Sequence, residues 1–470
     1  MPSLVLLSVL AVVALSLAVA FYRVTLHPLA RIPGPGIAAV TSFWQAHHVR
    51  NGHMRELAKT LHKTYGPVVR VGPNEVWFDS KEAVDVIYET NKERYRFQRR
   101  SLGPVYSIAN VKKYEAVVDA VLDRFVGKLK TFNGKVEVDL AEWMHILALE
   151  TLGSVVLDWS PGQIEAGSDE GMLSGTCTTW KACSVLGLFS PIVMVGGLVS
   201  PLKYLFPVLA GLVPLLGPGG DGHWRVIGEI INRRLREGSP QGRRPEGDIC
   251  DDIFYMRLKK SEFTRADHVG MLFQNFTAGH DTIGAVMTAA LALSCTDSRT
   301  QSEIKKELID ATNPTLFDNT KLLKYTQACI KESQRLYPVI SMSLMRAVPW
   351  TGLNLHGYYF PPGTTVGCNP TAYHHNTAVF GENAGSFNPD RWLGSPEAHV
   401  NLDHAALTWG GANRRCPGQH LAQLICSKAF ARLMKDFDIR VERPDDRDIP
   451  FYFLATMTGI IGDFAKAKMA

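Results

Sequence analysis

The most restrictive feature of the chain is a glycine-rich loop that ends in a single cysteine and leads into an amphipathic helix. The loop reads Trp409-Gly410-Gly411-Ala412-Asn413-Arg414-Arg415-Cys416-Pro417-Gly418. Apolar residues follow it at helical spacing, namely Leu421, Leu424, Ile425, Phe430, Leu433, Met434 and Phe437. Because a helix N-terminus or a metal lowers the pKa of a thiol, this position suits a cysteine that binds iron as a thiolate.

The neighbours of Cys416 suggest how such a ligand is held. Pro417 is expected at the first helical position, where its missing N–H costs nothing. Gly410 and Gly411 permit backbone conformations that bring amides close to the sulfur. Arg414 can form a forked, charge-assisted pair with a porphyrin carboxylate. Considered alone, the same pattern also fits a buried structural cysteine at the start of a helix.

Three further motifs precede the loop. The first is Ala278-Gly279-His280-Asp281-Thr282, which lies inside a long helical pattern from Thr264 to Leu293. The second is Lys331-Glu332-Ser333-Gln334-Arg335-Leu336-Tyr337-Pro338, which places a carboxylate and a guanidinium at i and i+3 on one helix face. The third is Phe387-Asn388-Pro389-Asp390-Arg391-Trp392, a proline-containing loop that adds an arginine.

With these four motifs in this order, the chain resembles the cytochrome P-450 superfamily, the haem-thiolate monooxygenases, from about Ile32 to its end. The resemblance implies one large, mainly α-helical domain with a small β part, and haem b with Cys416 as the axial ligand of its iron. The cysteine loop and the Phe387–Trp392 segment look most like the filamentous-fungal secondary-metabolite oxidases, a branch that includes pisatin demethylase.

The resemblance also implies roles in oxygen activation. Thr282 offers a hydroxyl that can hold dioxygen and an ordered water, and Asp281 can supply protons through water. Gly279 lets the helix lie close to the porphyrin, and His280 is a structural group rather than an iron ligand. Considered alone, Asp281 and Thr282 also fit a helix-interior Asp and a Thr that bonds back to its own helix.

Other positions match structural and haem contacts of the family. Glu332, Arg335 and Arg391 are expected to form a buried network that holds the cysteine loop, and such a network is costly unless fully paired. Arg346 is expected at a haem propionate. Arg99 or Arg100 is the remaining candidate for that contact, with Arg100 preferred.

Two residues of the cysteine loop depart from the family pattern. Trp409, expected beside the haem, replaces the usual phenylalanine, and Ala412 replaces the usual glycine. If position 412 needs a left-handed backbone, alanine costs about 1–2 kcal/mol there relative to glycine.

The N-terminus predicts a membrane anchor. Leu4–Tyr22 is an uninterrupted apolar run, long enough to span a bilayer. Arg23 and Arg31 follow it, which predicts a cytoplasmic catalytic domain on a single-pass protein of the endoplasmic reticulum. A cleaved signal peptide is the alternative. We therefore divide the chain into an anchor (1–22), a Pro/Gly-rich hinge (23–36) and a haem-thiolate catalytic domain (37–470).

Composition excludes several classes of protein. Hydrophobic residues make up 46% and charged residues 20%, as in a globular chain. The net charge is +5 and no basic tract has interleaved aromatic residues, so nucleic acid is not an expected partner. Eight cysteines are scattered without a Cys-x-x-Cys pair, which argues against a structural zinc site and favours a reducing compartment.

Periodicity and turn residues predict the remaining elements. Helices are expected over 53–65, 81–90, 111–129, 140–157, 302–308 and 322–336, with a proline-broken apolar pair over 185–216. Strands are expected over 68–71, 75–78, 348–360 and 364–366. Only seven residues, 91–97, connect the helix ending near Thr90 to the next one, where the family usually has a long loop over the substrate pocket.

These features leave two classes of function open. The first is a monooxygenase that takes electrons from NADPH through a reductase, which could dock on basic residues, namely Arg415, Lys112, Lys113, Arg124 and Lys128. The second is a haem-thiolate isomerase or dehydratase, or a degenerate, poorly active haem binder with an abnormally short 91–97 connection. In either class the ligand is lipophilic, and its candidate contacts are Phe273, Phe276, Val339–Leu344 and Leu454–Met457.

Overall fold

The structure is a computed structural model that describes residues 2–89, 99–189, 218–236, 247–260, 262–446 and 448–467. Helices dominate these residues. They are α1 (Pro2–Phe21), α2 (Gly36–Val40), α3 (Phe43–Arg50), α4 (Met54–Tyr65), α5 (Lys81–Tyr88), α6 (Ile108–Val111), α7 (Glu115–Phe132), α8 (Leu140–Leu157), α9 (Gln163–Ala166), α10 (Met172–Gly187), α11 (Pro218–Arg236), α12 (Ile249–Lys259), α13 (Arg265–Thr296), α14 (Ser298–Asp310), α15 (Phe317–Thr320), α16 (Lys324–Leu336), α17 (Pro370–His374), α18 (Thr377–Phe380), α19 (Pro396–Ala405) and α20 (Gln419–Asp436).

The β part is small, as the sequence predicts. Its strands are β1 (Val68–Gly72), β2 (Glu75–Phe78), β3 (Val138–Asp139), β4 (Arg346–Ala347), β5 (Leu353–Leu355), β6 (Tyr358–Phe360), β7 (Thr365–Cys368), β8 (Phe437–Glu442) and β9 (Ile461–Lys466). Among the described residues they form a mixed sheet in the order β1-β2-β7-β4, an antiparallel sheet in the order β3-β9-β8, and a β5-β6 hairpin.

The core is built around α13, which packs along α8. Thr264 caps α13 in a reciprocal pair with Asp267, because each side chain accepts a hydrogen bond from the other residue's amide. From Ile283 onwards nearly the whole helix is buried. Gly284 allows the close approach, since a Cβ there would lie only 3.2 Å from the Cα of His145. The two helices carry most of the polar groups described below.

Helix predictions hold best for long elements. The observed bounds of α8 equal the predicted ones, and those of α13 and α16 differ by at most three residues at either end. α7 begins at Glu115 rather than 111, because two short turns precede it. Most of the predicted apolar pair over 185–216 and the 91–97 connection lie outside the described residues.

One strand prediction is wrong. The run Val348–Phe360 is not a single strand, because Gly352, His356 and Gly357 all have positive φ, at 76°, 50° and 75°. The backbone therefore reverses within the run, and Leu353 pairs with Phe360 across the β5-β6 hairpin.

The N-terminal helix is apolar and lies outside the core. Val5–Leu26 spans 22 residues with a mean hydropathy of 2.6 and buries none of them, whereas Leu140–Leu157, the other helix apolar enough for a bilayer among the described residues, is 89% buried. The segment after α1 packs on β1, where the amide of Arg70 donates to the carbonyl of Pro33 at 2.8 Å. A Cβ on Gly34 would overlap the carbonyl of Arg70, so this contact requires glycine.

Candidate functional site

The cysteine loop is closed by its own backbone. The amide of Cys416 donates to the carbonyl of Trp409 at 2.7 Å. Gly410 and Ala412 both lie in the left-handed region, with φ of 83° and 37°. Ala412 therefore has the left-handed backbone that glycine adopts without strain, so the condition under which alanine is costly at this position is met.

The sulfur of Cys416 is reachable from solvent on one side and crowded by protein elsewhere. Burial raises the pKa of its thiol, while the amide of Gly418 and the positive charge of Arg99 act in the opposite direction. Arg99 is half-buried, whereas Arg100 is exposed. Of the two arginines that are candidates for the remaining propionate contact, Arg99 is thus the one whose charge acts on the Cys416 thiol.

One local expectation about the loop is wrong. Pro417 is not the first helical residue, because α20 starts at Gln419 with Gly418 as its N-cap. The chain makes an additional turn between the cysteine and the helix, and the amide of Gly418 in this turn faces the sulfur of Cys416.

Glu332 is buried at the centre of a polar network. Its Oε1 accepts from Nη2 of Arg335 (2.7 Å), the amide of Asn388 (3.0 Å) and Nε of Arg391 (3.4 Å). Its Oε2 accepts from Nε of Arg335 (2.8 Å) and the indole of Trp392 (2.9 Å). The structure therefore brings Glu332, Arg335 and Arg391 together, with the carboxylate fully paired as a buried ion requires.

His374 connects this network to the cysteine loop. Its Nδ1 lies 2.9 Å from the carbonyl of Arg335, and its Nε2 accepts from the amide of Leu407 at 2.9 Å. Complete burial, helped by the charge of Arg335, lowers the pKa of His374 to about 3. The ring is therefore neutral with its proton on Nδ1. Nothing in the sequence around His374 singled it out.

Tyr88 supports the other side of the loop, a role that no motif in the sequence indicates. Its hydroxyl donates to the carbonyl of Leu344 (2.8 Å) and accepts from the amide of Cys368 (2.9 Å). A Cβ on Gly411 would overlap its ring, and the guanidinium of Arg346 lies 5.0 Å from the ring centroid. Tyr88 thus places Arg346 and the cysteine loop beside each other.

One face of α13 remains accessible where the helix enters the core. Ala278 is exposed, and Gly279 and Thr282 are half-exposed. The hydroxyl of Thr282 donates to the carbonyl of Ala278 at 2.8 Å, the bond back to its own helix that was the alternative expectation. Gly279 packs against α8, and a Cβ there would lie 2.6 Å from Cδ1 of Leu152, so a larger residue would have to displace the end of that leucine side chain.

Asp281 is buried in a cluster of aromatic and histidine side chains. Its Oδ2 accepts from the indole of Trp180 at 2.8 Å. Its Oδ1 lies 3.1 Å from Nδ1 of His280 and 3.4 Å from Nε2 of His145. The opposite nitrogen of His145 lies 3.1 Å from Oδ2 of Asp169. His145 therefore bridges two carboxylates, one on α13 and one in the loop before α10.

The ionisable groups of this cluster shift one another's pKa values. Burial alone would lower the pKa of His145, but its hydrogen bonds to Asp169 and Asp281 outweigh burial and raise it. Burial would raise the pKa of Asp281, yet its electrostatic interaction with His280 and the hydrogen bonds from both histidines hold that pKa well below its usual range. The pKa of Asp169 is lowered too, because the bond from His145 and backbone amides outweigh its burial. The cluster thus favours two ionised carboxylates around an imidazolium.

Two cavities meet at Trp180. One, of about 390 Å³, is lined by Asp281 and by Leu454 and Thr456 of the C-terminal segment. The other, of about 500 Å³, is lined by Met342, which follows α16. Of the predicted ligand contacts, Met342, Ser343, Leu454 and Thr456 thus line cavities. Phe276 does not, because it is fully buried and packs on Trp159 and His280, and Phe273 packs against the same core.

The predicted basic docking surface is largely ion-paired. Arg415 lines a cavity of about 320 Å³ next to Trp409, and Lys128 donates to the carbonyl of Glu165. The remaining three residues have carboxylate partners: Lys112 with Asp318, Lys113 with Asp252, and Arg124 with Glu150 and Glu165.

Comparison with known proteins gives a consistent result over nearly the whole chain. The family model described as "Cytochrome P450" matches residues 38–459. The chain is 39% identical over 523 aligned residues to "Cytochrome P450 monooxygenase sdnT" of Sordaria araneosa, covering 95% of this chain and 93% of that protein. It is 27% identical to "Pisatin demethylase" of Fusarium vanettenii, covering 92% and 90%. It is also 27% identical to "Cytochrome P450 monooxygenase mpaDE" of Penicillium brevicompactum, over 88% of this chain and 52% of that longer protein.

Proposed function

The chain belongs to the cytochrome P450 family, and we propose that it is a monooxygenase that inserts one oxygen atom from dioxygen into a lipophilic intermediate of secondary metabolism. Membership makes the protein a haem-thiolate oxidoreductase. The substrate class follows from the apolar cavity walls and from relatives named as pisatin demethylase and other monooxygenases. The single observation that carries the proposal is the closed loop that presents Cys416 beside a fully paired buried network.

The residues at Cys416 fit the haem group that the family implies. A thiol that is accessible on one side, with an amide donor at Gly418 and a cation at Arg99, has the donors that a coordinated thiolate needs. When bound, a thiolate-ligated haem iron favours cleavage of the O–O bond. Arg346 and Arg414 would pair with the propionates, Trp409 would lie beside the sulfur, and either Arg99 or Arg100 would supply the remaining cation.

Thr282 and Asp281 are proposed to deliver protons. Asp281 lines the 390 Å³ cavity, so water in that cavity can bring protons to its carboxylate. The hydroxyl of Thr282 is on the accessible face of the same helix, where it can exchange its bond to Ala278 for one to dioxygen or an ordered water. His145 and Asp169 act as positioning residues, because they hold the Asp281 carboxylate ionised and in place.

Electrons are proposed to come from NADPH through a reductase that docks beside Arg415. The other basic candidates are less suited to docking because most already have acidic partners. The anchor of residues 1–22 would hold the protein in the endoplasmic reticulum membrane, with the hinge 23–36 and the catalytic domain 37–470 on the cytoplasmic side. The apolar, unburied Val5–Leu26 helix, and Arg23 and Arg31 after the apolar run that ends at Tyr22, support this orientation.

A reconstitution tests the proposal. The full chain is expressed with a reductase in a microsomal host and supplied with candidate lipophilic substrates. We expect oxidised product only when NADPH, reductase and dioxygen are all present. No oxidised product under these full conditions, together with redox-neutral rearrangement or dehydration of an organic peroxide in the absence of NADPH, would instead indicate an isomerase or dehydratase and contradict the monooxygenase assignment.

A further inference from the structure

The 500 Å³ cavity is apolar on most sides but polar at one end. Its apolar walls are formed by Trp180, Leu188, Met342, Met345 and Phe453. The polar end is formed by residues from α3, β2 and the segment after α16. They are Gln45, Glu75 and Ser343.

Glu75 places a carboxyl group in this cavity without a cation nearby. Its Oε1 accepts from the indole of Trp77 (2.8 Å) and from Nε2 of Gln45 (3.2 Å). No hydrogen bond from the described residues reaches its Oε2. Burial raises the pKa of Glu75 against these two hydrogen bonds. Among the described lining residues there is no Lys, Arg or His, so none of them supplies a counter-charge to Glu75.

Two further acceptors in the same cavity lack partners. Oε1 of Gln45 and Oγ of Ser343 are buried, and within the described part of the chain neither has a hydrogen-bond partner. Gln45 is only 1% exposed. A buried polar group without a partner is unfavourable, so a ligand that brings donors to this end makes hydrogen bonds that the described residues do not supply.

We propose that this cavity binds the substrate by a hydrogen-bond donor, a hydroxyl or an ammonium, held by Glu75 and Gln45 while its apolar body lies against Trp180 and Phe453. The proposal rests on the monooxygenase function and narrows its substrate class to lipophilic molecules with a polar donor end. A carboxylate at the same end of the ligand would face Glu75 and is disfavoured. The indole of Trp180 also holds Asp281, so a ligand in this cavity touches the residue that positions the proposed acid.

The test compares four probes that share a twelve-carbon chain: 1-dodecanol, its methyl ether, dodecyltrimethylammonium and laurate. Their dissociation constants are measured on the haem-loaded protein by equilibrium dialysis. The alcohol is expected to bind about tenfold more tightly than the ether, since one hydrogen bond is worth about 1–1.5 kcal/mol, and laurate is expected to bind most weakly. Dodecyltrimethylammonium carries a positive charge but no N–H group, so its binding measures attraction to charge separately from recognition of a hydrogen-bond donor.

Variants assign the effect to the polar end. Gln45→Leu combined with Glu75→Leu removes both acceptors and should remove most of the alcohol-over-ether preference, whereas Glu75→Gln alone keeps an acceptor but no charge and should weaken binding of the ammonium. The exposed Glu82→Gln is the matched control and should change neither. Equal binding of alcohol and ether in the parent, or a preference that survives the double variant, overturns the proposal. The reduced carbon monoxide spectrum is recorded for every variant, because its loss would count against the haem-thiolate function, whereas a normal spectrum with no preference refutes the polar cavity alone.

Discussion

The imidazole of His145 lies 3.4 Å from the carboxylate of Asp281, although the two residues are on different helices. The pKa of His145 is raised above its ordinary value of 6.5 by its bonds to Asp169 and Asp281, which outweigh burial. Asp169 and Asp281, whose pKa values are lowered, stay ionised over the same range. The stabilisation is therefore complete below about pH 6.5 and is lost as pH rises through the folded-state pKa.

We predict that His145→Gln lowers the thermal midpoint most at about pH 6, with a loss of about 3 kcal/mol, and less at about pH 9. His268 is the control with the opposite sign, because burial lowers its pKa to about 4. The stability that His268 contributes relative to His268→Gln should fall as pH decreases from about 6.5 to about 4. A cost of His145→Gln that does not depend on pH would show that His145 is not charged.

Ala412→Gly is predicted to stabilise the cysteine loop. Ala412 has φ of 37°, and glycine relieves this strain by about 1 kcal/mol after its own entropic cost. Haem content per chain and the thermal midpoint should both rise. Ala429→Gly, inside α20, is the matched control and should lower the midpoint by a similar amount. Unchanged or lower haem occupancy in Ala412→Gly would contradict the prediction.

Glu332→Gln should reduce haem retention rather than the chemical step. The change leaves Arg335 and Arg391 without their buried carboxylate partner, which costs about 3 kcal/mol. Most purified protein should lack haem, while the fraction that keeps it should turn over at the parent rate per haem. Glu303→Gln, on the exposed side of α14, should retain haem normally. A variant that is fully loaded but slow would assign Glu332 to catalysis.

Thr282→Ala should uncouple NADPH consumption from product. If its hydroxyl helps deliver protons, product per NADPH falls by about tenfold or more, and peroxide accumulates instead. Thr296→Ala removes a hydroxyl that bonds to its own helix in the same way, at Ala292, and should leave coupling intact. Unchanged coupling in Thr282→Ala would exclude this residue from oxygen activation.

The sequence predicts those parts of the site that depend on local pattern. Cys416, Glu332 and Arg335 lie in contiguous motifs, so their helix and loop contexts could be predicted. His374 and Tyr88 act through contacts with residues far away in the chain, and the sequence contains no signal for such contacts. Asp281 lies in a recognisable motif, but its partner His145 is on α8, 136 positions earlier in the numbering.

Errors in the local predictions also have physical causes. Pro417 was expected inside a helix that begins two residues later, because helix starts depend on loop closure as well as on residue preference. The strand expected over 348–360 contains residues with positive φ that turn it into a hairpin.

The most direct test of the account is the reduced carbon monoxide spectrum of the parent and of Cys416→Ser, both purified after expression with haem supply. The parent should copurify with haem and give the spectrum of a thiolate-ligated iron, and Cys416→Ser should lose that spectrum. A serine variant with an unchanged spectrum, or a parent that binds no haem, would contradict the account.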